Sequence, residues 1–533
     1  MFRTLLIATA VALLGAGVAH ANTSLVEVDA PGAAGAMELE RLGLDVVHIG
    51  ADAVDVQLHS AHDERRLRAS GYGSRLLIAD MDGRNRRARE AEERREALGR
   101  YSGLPTGRVS YRTLDEINAE LFKLAAWHPR RVKLFRLPHR SLLGKSIWGV
   151  EISHDVRDDA GKPVFLNTGV HHAREWPTAE FVLEFAWEAL RLDARDQQIT
   201  KLLERGKLIA VPVVNPDGYD ISRSLIQEQK RKNCRVNAGE IPSEAECTDP
   251  ANFSFGVDPN RNYGAFWGGP GSSADRSASN HRGEAPWSEP EIRNMRALSA
   301  ANQVTVAINN HTPDERLLRA PSSSNEPIPA DVVVYDALAQ LLGADLDFPA
   351  GPWTEIYYEA SGTAEQTAYY GAGTLAFTPE LTPGFDGAER FHPPYQYVVD
   401  QYLGTDFYAG SSIRAAYLTA FEAAVDPARH SVIEGKAPRR TRLTISKRFT
   451  LDTSAVDGSG PVTSFPHQLR TSMTVPRSGR FTWHVNPSVR PSQYASAHLD
   501  ESWTIACGWR TRPLEVTVRR GETAYVDLRR CRR

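Results

Sequence analysis

The chain has 533 residues, 63 of them basic and 66 acidic, which gives a formal net charge of -3 at pH 7. A single compact core does not reach this length, so we expect two to four structural units. The composition, 41% hydrophobic and 24% charged, is ordinary for a globular protein. The near-balanced charge creates no strong overall field, so we expect no nucleic-acid partner.

The first 21 residues have the pattern of a secretory signal peptide. Arg3 supplies the positive start, residues 5–18 are mostly apolar, and residues 19–21 match a small-x-small cleavage site. The apolar stretch is short for a membrane span, and Asn22, not a cysteine, follows the cleavage site. We therefore expect a secreted protein, extracellular or periplasmic, without a membrane span or a lipid anchor.

The chain contains four cysteines in two local groups. Cys234 and Cys247 are near neighbours in sequence, as are Cys507 and Cys531. Secretion places them in an oxidising compartment, so we predict two local disulfides. Four cysteines allow three pairings, and free buried thiols remain the alternative.

Residues 22–108 are predicted to form a small α/β module followed by a charged linker. Residues 25–28 and 54–58 alternate apolar and polar side chains as strands do, and residues 75–78 indicate a third strand. Residues 81–100 are dense in arginine among acidic side chains. Such a run is typical of a solvated helix or linker, and it offers many sites for trypsin-like cleavage.

Residues 109–428 have the pattern of an α/β domain with a mixed sheet and helices on both faces. Thr113 and Glu116 have the spacing of a capping box, so a helix is expected to begin there. Residues 412–425 are predicted to form the last helix. Strands are predicted at residues 133–136, 146–152, 163–170, 207–214, 304–309, 353–357 and 375–378.

Residues 429–533 consist of short β runs separated by glycine, proline and serine, which predicts a β-sandwich. The predicted strands cover residues 442–446, 468–475, 481–485, 503–507, 514–518 and 525–528. This segment also carries a basic cluster of Arg439, Arg440, Arg442, Lys447 and Arg448. A solvated face is the ordinary explanation, and contact of this domain with an acidic surface is the alternative.

A histidine and a glutamate three residues apart carry the first functional signal. His172 and Glu175 lie between a predicted strand and a predicted helix at 178–192, and one helical turn would direct both side chains to the same point. His311, at the end of another predicted strand, is a candidate third ligand. Imidazole and carboxylate both bind zinc, and three protein ligands leave a fourth position for water, as in catalytic zinc sites.

Glu380 is a candidate base for the water of such a site. It lies just beyond the strand predicted at 375–378. A lone glutamate in that position is more often a solvated surface residue, so the assignment depends on the surrounding motifs.

Several motifs follow in order, and with them the chain resembles the secreted zinc carboxypeptidases of the pancreatic carboxypeptidase A/B type. The resemblance runs from about residue 111 to residue 425. The H-x-x-E metal motif matches His172 and Glu175, and the second metal histidine matches His311. The W-R-K-x-R segment matches in part, because its tryptophan and final arginine are not in place. The other matching segments are residues 215–218, 256–263, 288–291 and the ungapped stretch 358–380.

The resemblance implies hydrolysis of the C-terminal bond of a peptide or protein by a zinc-activated water. One Zn2+ ion would be held by His172, Glu175 and His311, with Glu380 as the base. His171 also shares a helix face with Glu175, but the family spacing favours His172.

The resemblance further implies an anchor for the free carboxylate of the substrate. Arg261, Asn260 and Tyr358 would form it, because a planar guanidinium binds a carboxylate through two parallel hydrogen bonds. In this family one residue at the base of the side-chain pocket separates apolar from basic preference, and Glu365 occupies that position. An acid there favours a C-terminal Lys or Arg. The alternative is that Glu365 points elsewhere and neighbours such as Thr363 line the pocket.

Three further roles follow from the same resemblance. Arg231 would stabilise the oxyanion that forms as the scissile carbonyl becomes tetrahedral. Asp258 would accept a hydrogen bond from the far nitrogen of His172 and so fix its tautomer. Arg174 would help to guide the approaching peptide.

Residues 22–108 occupy the position of the family's propeptide, which covers the active site until it is cleaved. A retained folding module is the alternative. Two rival functions also remain: a zinc peptidase that cuts a cell-wall peptide on the same scaffold, and a non-catalytic peptide-binding protein. The first need not keep the carboxylate anchor and the second should have lost a metal ligand or the base, yet all of these residues are present.

Overall fold

The computed structural model describes residues 23–50, 52–99, 101–157, 161–193, 195–382, 391–507 and 513–531. The predicted signal peptide lies outside the described residues. Three segments follow one another along the chain, each with its own sheet or sheets.

The N-terminal segment is a small antiparallel sheet with helices. Its elements are β1 (Ser24–Val28), α1 (Gly32–Arg41), β2 (Asp45–Ile49), β3 (Val54–Leu58), α2 (Ala61–Ser70), β4 (Ser74–Ile78) and α3 (Met81–Ala97). The strand order is β2-β3-β1-β4, and each pairing is antiparallel. Ser60 caps α2 by accepting a hydrogen bond from the Asp63 amide, and Gly71 ends it in the left-handed conformation.

The charged run of the sequence forms helix α3. Although most of its side chains are exposed, one side of the helix packs on the next segment. Arg89 pairs with Glu228, and Glu92 accepts a hydrogen bond of 2.7 Å from the Tyr395 amide. The prediction of a helix here is correct, but the helix is not solvated all round.

The central segment is built on an eight-stranded sheet. The strands are β5 (Val132–Arg136), β6 (Trp148–Ile152), β7 (Val164–Thr168), β8 (Lys207–Val211), β9 (Val304–Asn309), β10 (Arg316–Arg319), β11 (Ala350–Pro352) and β12 (Leu375–Glu380). Their order is β11-β10-β12-β9-β7-β8-β6-β5. The inner strands β12, β9, β7 and β8 run parallel. The pairings β10–β12, β6–β8 and β5–β6 are antiparallel, and the edge pairing β10–β11 is parallel, so the sheet is mixed as predicted.

Helices cover the sheet because its strands are apolar on both faces. They are α4 (Leu114–Trp127), α5 (Trp176–Leu192), α6 (Gln197–Arg205), α7 (Pro216–Arg223), α8 (Glu244–Thr248), α9 (Pro290–Ala300), α10 (Val332–Leu346), α11 (Trp353–Ile356), α12 (Ala364–Ala372), α13 (Tyr395–Leu403) and α14 (Ile413–Val425). Phe165 and Ile308 face a core that includes α4, α5 and α14, whereas Leu166 and Ala307 face one that includes α9. Thr113 caps α4 with the predicted capping box.

The C-terminal segment contains strands of 2 to 11 residues in two larger sheets and one small one. They are β13 (Ser431–Lys436), β14 (Arg442–Asp452), β15 (Ser464–Thr474), β16 (Arg480–Val485), β17 (Arg490–Pro491), β18 (His498–Leu499), β19 (Trp503–Cys507), β20 (Leu514–Val516) and β21 (Thr523–Asp527). The sheets β16-β13-β21 and β15-β14-β19-β20 share one apolar core. The outer part of the β14–β15 hairpin leaves this core, and Phe449, Leu451 and Phe465 cover the α9 face of the central sheet.

Two sequence expectations are wrong in detail. Residues 353–357 do not form a strand, because β11 ends at Pro352 and the chain enters α11. A helical turn brings residues four apart together, and it packs the rings of Trp353 and Tyr357 at 5.5 Å. Lys447 is not part of a solvated basic face: it is buried, donates to the Ser488 carbonyl at 2.7 Å and pairs with Glu501 at 3.2 Å.

Both predicted disulfides are confirmed, Cys234–Cys247 and Cys507–Cys531. The first ties the loop after α7 to α8, and the second ties β19 to the C-terminal end of the described chain. No helix of the described residues has the length and apolar character needed to cross a membrane.

Candidate active site

The candidate site forms where three parallel strands end at one edge of the central sheet. His172 and Glu175 follow β7, His311 follows β9, and Glu380 is the last residue of β12. The carboxyl ends of parallel strands meet at one edge, which is the usual place for a binding site in an α/β fold. This topology joins residues more than 200 positions apart in sequence.

Three of these residues form a compact group that could hold a metal ion. The Nδ1 atom of His172 lies 2.7 Å from Glu175 Oε1 and 3.0 Å from Nδ1 of His311. The distance from His311 Nδ1 to the other Glu175 oxygen is 2.9 Å. Two imidazole nitrogens and a carboxylate, all buried and aimed at one point, are a donor set that suits Zn2+.

His172 and Glu175 are brought together by a turn and not by a helix, which corrects the sequence interpretation. Helix α5 begins only at Trp176, with Pro177 in its first turn, where the missing amide of proline costs nothing. The Glu175 amide donates to the His172 carbonyl at 3.2 Å and closes the turn. The three-residue spacing therefore brings the two side chains together through a turn.

The second ring nitrogens of the two histidines are also held. Nε2 of His172 lies 3.0 Å from Asp258 Oδ1, as the sequence interpretation expected. Nε2 of His311 lies 3.0 Å from the Asn309 side chain and 3.3 Å from that of Asn260. Such contacts orient the rings and leave Nδ1 directed at the metal position.

The electrostatic setting keeps both histidines neutral, which is the form that binds a metal. Burial lowers the pKa of His311 to about 3, and the positive charge of Arg231 adds to the effect. Burial and then Arg231 also lower the pKa of His172.

Glu380 lies beside this group. A backbone bridge pairs it with His311, and the Leu381 amide donates to the His311 carbonyl at 2.7 Å. Burial raises the pKa of Glu380 well above its usual range, and the neighbouring carboxylate of Glu175 raises it further. A carboxylate with a raised pKa next to a metal position has the properties of a general base or acid.

Arg261 has the environment expected of an anion anchor. It belongs to the 3-10 turn Pro259–Arg261, and its side chain is fully buried. Its Nε donates to the Gly271 carbonyl at 2.8 Å and its Nη1 to the Asn260 carbonyl at 3.0 Å, while Nη2 has no partner among the described residues. An unpaired buried donor on a fixed guanidinium is suited to a carboxylate ligand.

Asn260 and Tyr358 are both buried in the same region. The Asn260 side-chain oxygen accepts a hydrogen bond of 3.0 Å from the Ala364 backbone amide, and this contact fixes the orientation of the Asn260 side chain. The Tyr358 ring packs on Tyr357 with centroids 4.2 Å apart. Arg231 donates to Asp258 Oδ2 from Nη2 at 2.9 Å, so Asp258 bridges Arg231 and His172.

Glu365 lies at the start of α12 with its carboxylate held by hydroxyl groups. Oε1 accepts hydrogen bonds from Ser322 at 3.0 Å and from Thr363 at 2.6 Å, and Oε2 accepts one from Thr378 at 2.9 Å. The residue also lines a cavity of about 40 Å³ behind the site. Among the described residues, no lysine or arginine forms an ion pair with this carboxylate.

Arg174 is not free to meet a substrate, because the N-terminal segment occupies it. Its guanidinium pairs with both oxygens of Asp45 on β2, and its Nη1 donates to Gln57 on β3 at 2.7 Å. His59 Nε2 lies 2.7 Å from the same Asp45 carboxylate. Arg174 and Asp45 are both buried in this contact.

The N-terminal segment also covers the anchor region, through residues that the sequence did not identify. Glu40 is buried there and accepts a hydrogen bond of 3.0 Å from Asn280. Burial raises the pKa of Glu40 to about 7, against the opposing effects of Arg261 and Arg231. The apolar core of the segment continues into the wall of the site, and the residues it reaches are Leu318, Trp353, Tyr357, Tyr358 and Ala360. Glu40 and Asp45 are ordinary acidic residues in sequence, so no local signal could have identified them.

The remaining histidines near the site have other partners. His171 is buried with its Nε2 2.7 Å from the Tyr263 hydroxyl, and it is not one of the grouped metal donors. His281 Nδ1 lies 3.2 Å from the Ser273 carbonyl. His392 stacks on Trp176 with ring centroids 3.6 Å apart.

Comparison with known proteins agrees with this geometry. A family model for zinc carboxypeptidases, peptidase family M14, matches residues 117–403, more than half of the chain. The chain belongs to the zinc carboxypeptidase family. The resemblance inferred from the motifs is therefore confirmed. Members of this family use one catalytic zinc ion, and the group of His172, Glu175 and His311 could hold it.

Curated relatives carry carboxypeptidase names. Carboxypeptidase A2 of Mus musculus is 30% identical over 272 residues, which cover 49% of this chain and 60% of the relative. Zinc carboxypeptidase A 1 of Anopheles gambiae is 28% identical over 323 residues, covering 58% and 68%. The chain thus spans about 60% of the length of the first of these relatives.

Solved structures show the same fold. The crystal structure of carboxypeptidase A from Helicoverpa armigera gives a TM-score of 0.63 at 22% identity, covering 76% of this chain and all of that one. Thrombin-activatable fibrinolysis inhibitor gives a TM-score of 0.59 at 19% identity, covering 76% of this chain and 99% of that one. At these identities the comparison establishes a carboxypeptidase-like α/β fold and no more.

Proposed function

We propose that the protein is a secreted zinc metallocarboxypeptidase that removes the C-terminal residue from peptides or proteins. The observation that carries this proposal is the position of Arg261. Its buried guanidinium, with an unpartnered Nη2, lies on a turn that also contacts the metal group through Asn260 and His311. A metal site alone would suit many hydrolases, whereas a fixed anion anchor beside it selects a substrate with a free carboxylate.

Each residue then has a defined task. Arg261, Asn260 and Tyr358 bind the terminal carboxylate and set the scissile bond beside the metal group. Arg231 donates hydrogen bonds to the carbonyl oxygen as negative charge develops on it. Glu380 accepts a proton from the attacking water and later delivers one to the leaving amine. His172, Glu175 and His311 would hold the Zn2+ ion, which would supply Lewis acidity to the carbonyl and the water.

A preference for basic C-terminal residues is the finer part of the proposal. Glu365 supports it, since its buried carboxylate is held only by hydroxyl donors among the described residues. A C-terminal lysine or arginine brings the cation that this environment lacks, and pairing in a desolvated pocket is strong when its geometry is good.

The N-terminal segment, residues 22–108, is proposed to act as a propeptide. The contacts of Asp45 with Arg174 and the burial of Glu40 near Arg261 support this role, because both occupy groups that a peptide substrate would meet. The exposed arginines of α3 offer cleavage sites for a trypsin-like protease. Release would require breaking the contacts of α3 with the central segment as well.

The proposal also divides the rest of the chain into two domains. Residues 109–428 would form the catalytic domain and residues 429–533 a β-sandwich domain, which two sheets with a common core support. The two disulfides are in keeping with secretion into an oxidising compartment.

A peptide assay tests the proposal directly. The full chain, before and after mild trypsin treatment, is incubated with peptides that end in Phe, Leu, Lys or Arg, with and without a chelator. We expect release of single C-terminal residues after trypsin, loss of activity with the chelator, and faster release of Lys and Arg. The same peptides with an amidated C-terminus provide the control, since they cannot engage Arg261. Internal cleavage, or equal cleavage of the amidated peptides, would contradict the proposal.

A further inference from the structure

The C-terminal segment contacts the central segment directly beside the carboxylate anchor. The loop that joins β14 to β15 reaches a glycine-rich stretch, residues 266–271, that follows Arg261 in the chain. We call this stretch the anchor strap. Three backbone hydrogen bonds connect the two: Phe266 to Asp452 at 3.1 Å, Ser454 to Trp267 at 3.0 Å and Asp457 to Gly268 at 3.1 Å.

The anchor strap in turn holds Arg261. The Gly271 carbonyl accepts the Nε hydrogen bond of Arg261 at 2.8 Å, and this contact fixes the guanidinium together with a hydrogen bond to the Asn260 carbonyl and an ion pair of 3.9 Å with Asp258. Gly268, Gly269 and Gly271 give the strap unusual conformational freedom when nothing restrains it. The position of Arg261 therefore depends on what confines the strap.

The strap is confined on two sides. A Cβ at Gly269 would collide with Ser454 Oγ from the C-terminal segment and come within 2.9 Å of Ser361 Oγ from the central segment. A Cβ at Gly271 would collide with the Glu359 carbonyl, next to Tyr358. Glycine fits both positions: the β14–β15 loop confines the strap at Gly269, and the central segment confines it at Gly271 and binds the Pro270 carbonyl through the Ser361 hydroxyl.

Ser454 links the strap to a second part of the substrate site. Its hydroxyl donates to the Phe266 carbonyl at 2.9 Å and accepts a hydrogen bond of 2.6 Å from Asn325. Asn325 lies in the stretch that begins at Ser322, whose hydroxyl binds Glu365. One buried serine of the C-terminal segment thus connects the stretch that holds Arg261 with the stretch that holds Glu365.

An ion pair reinforces the same contact. Asp457 accepts two hydrogen bonds from Arg282, at 2.8 and 3.0 Å, and Arg282 is only 5% exposed. The Arg282 carbonyl accepts hydrogen bonds from Trp267 Nε1 at 3.0 Å and from Asn262 at 2.8 Å. Asn262 is the residue after Arg261, so this network also holds the chain on the C-terminal side of Arg261.

We propose that Ser454 and Asp457 are positioning residues for substrate binding, and that the C-terminal segment is a structural part of the carboxylate site. They confine the anchor strap so that Gly271 fixes Arg261 with its Nη2 directed at the substrate. Because Arg261 is taken as the carboxylate anchor, this role rests on the proposed function. It assigns the C-terminal segment a task at the site in place of a separate surface contact.

Kinetics of four variants test this role. Ser454→Ala removes two hydrogen bonds, so we expect KM for a peptide substrate to rise about tenfold while kcat stays within about twofold. Asp457→Asn removes an exposed charge but tolerates the left-handed φ of 50°, and KM should rise about two- to threefold. Ser454→Thr retains the hydroxyl and should restore most of the affinity.

Arg520→Gln is the matched control. Arg520 also joins the C-terminal segment to the central one, through contacts of 3.0 Å with both oxygens of Asp331 and one of 2.8 Å with the Gly373 carbonyl, and among the described residues it does not contact the strap. We expect it to lower thermal stability without raising KM. Equal KM increases in Arg520→Gln and Ser454→Ala would overturn the proposal, because they would indicate general destabilisation.

Amide hydrogen exchange of the full chain separates this proposal from the proposed function. Exchange in residues 264–272 should become faster in Ser454→Ala and remain unchanged in Arg520→Gln. Unchanged exchange in Ser454→Ala would overturn the confinement of the strap even if the enzyme is active. If the unaltered protein removes no C-terminal residue, the proposed function fails, and the exchange result still decides whether the loop confines the strap.

Discussion

The N-terminal and C-terminal segments contact the same central domain in different ways. The N-terminal segment places acidic side chains in the site itself, where Asp45 pairs with Arg174 and Glu40 lies near Arg261. The C-terminal segment contributes backbone hydrogen bonds, an ion pair of Asp457 with Arg282 and apolar side chains away from the metal group, where Ser454 contacts Trp267 and Leu451 joins the sheet core.

This difference indicates opposite tasks. Contacts made by charged side chains with catalytic or binding groups compete with a substrate, and cleavage or titration can undo them. Backbone and apolar contacts change little with conditions and compete with nothing, so they suit a permanent support. The central domain would therefore be covered from one side and held in shape from the other.

The largest expected effect lies in the chemistry that both segments surround. In the trypsin-treated protein, Glu380→Gln should lower kcat about 10²- to 10⁴-fold, because the amide cannot accept the proton of the attacking water. Steady-state hydrolysis of a peptide ending in Lys or Phe measures this. The exposed Glu355→Gln, three residues before Tyr358, serves as control and should behave as the unaltered protein. Retained activity in Glu380→Gln would remove this residue from the mechanism.

The next-largest effect concerns the N-terminal segment, which covers the candidate site. Asp45→Asn breaks a buried ion pair with Arg174, and such a loss typically costs about 3–5 kcal/mol. We expect the untreated chain to gain peptidase activity and to release its N-terminal segment faster on limited proteolysis. Glu27→Gln removes an exposed ion pair with Arg75 inside the same segment and should leave the untreated chain inactive. Equal inactivity of both untreated variants would show that Asp45 does not hold the cover in place.

The sequence could predict the fold of the central segment far better than it could predict the contacts of that segment with the N-terminal segment. The strands that end at Thr168 and Asn309 are apolar runs, and the residues of the metal group follow each of them within a few positions, so the sequence could predict both the sheet and the group. The turn between His172 and Glu175 was misread as a helix because H-x-x-E fits either geometry. The sequence could not predict the partner of Arg174, since its pairing with Asp45 depends on how the N-terminal segment contacts the central one.

The raised pKa of Glu40 predicts that the stability of the folded protein depends on pH. Burial raises the pKa of Glu40 from 4.5 to about 7, so between these values the folded protein binds more protons than the unfolded one. Stability therefore falls as pH rises through this window and levels off above pH 7, a change of about 3 kcal/mol at most. Glu40→Gln lacks this penalty. Its stability advantage over the unaltered chain, measured by denaturant unfolding, should grow from pH 5 to pH 8; a constant difference would contradict the assignment.

The smallest expected effect concerns the cavity that Glu365 lines. Glu365→Gln removes the charge that would pair with a basic substrate, and a hydrogen bond to a charged group contributes about 1.5–3 kcal/mol. The ratio of kcat/KM for Lys over Phe peptides should therefore fall about 10- to 100-fold. Glu326→Gln is the informative control, because this buried carboxyl accepts hydrogen bonds from the Ser322 and Ser323 amides and its pKa is raised by burial to about 7. Its amide form resembles the protonated acid, so the ratio should hardly change. A reversal of the two results would move the specificity determinant from Glu365 to Glu326, and with it to the stretch that Ser454 holds through Asn325.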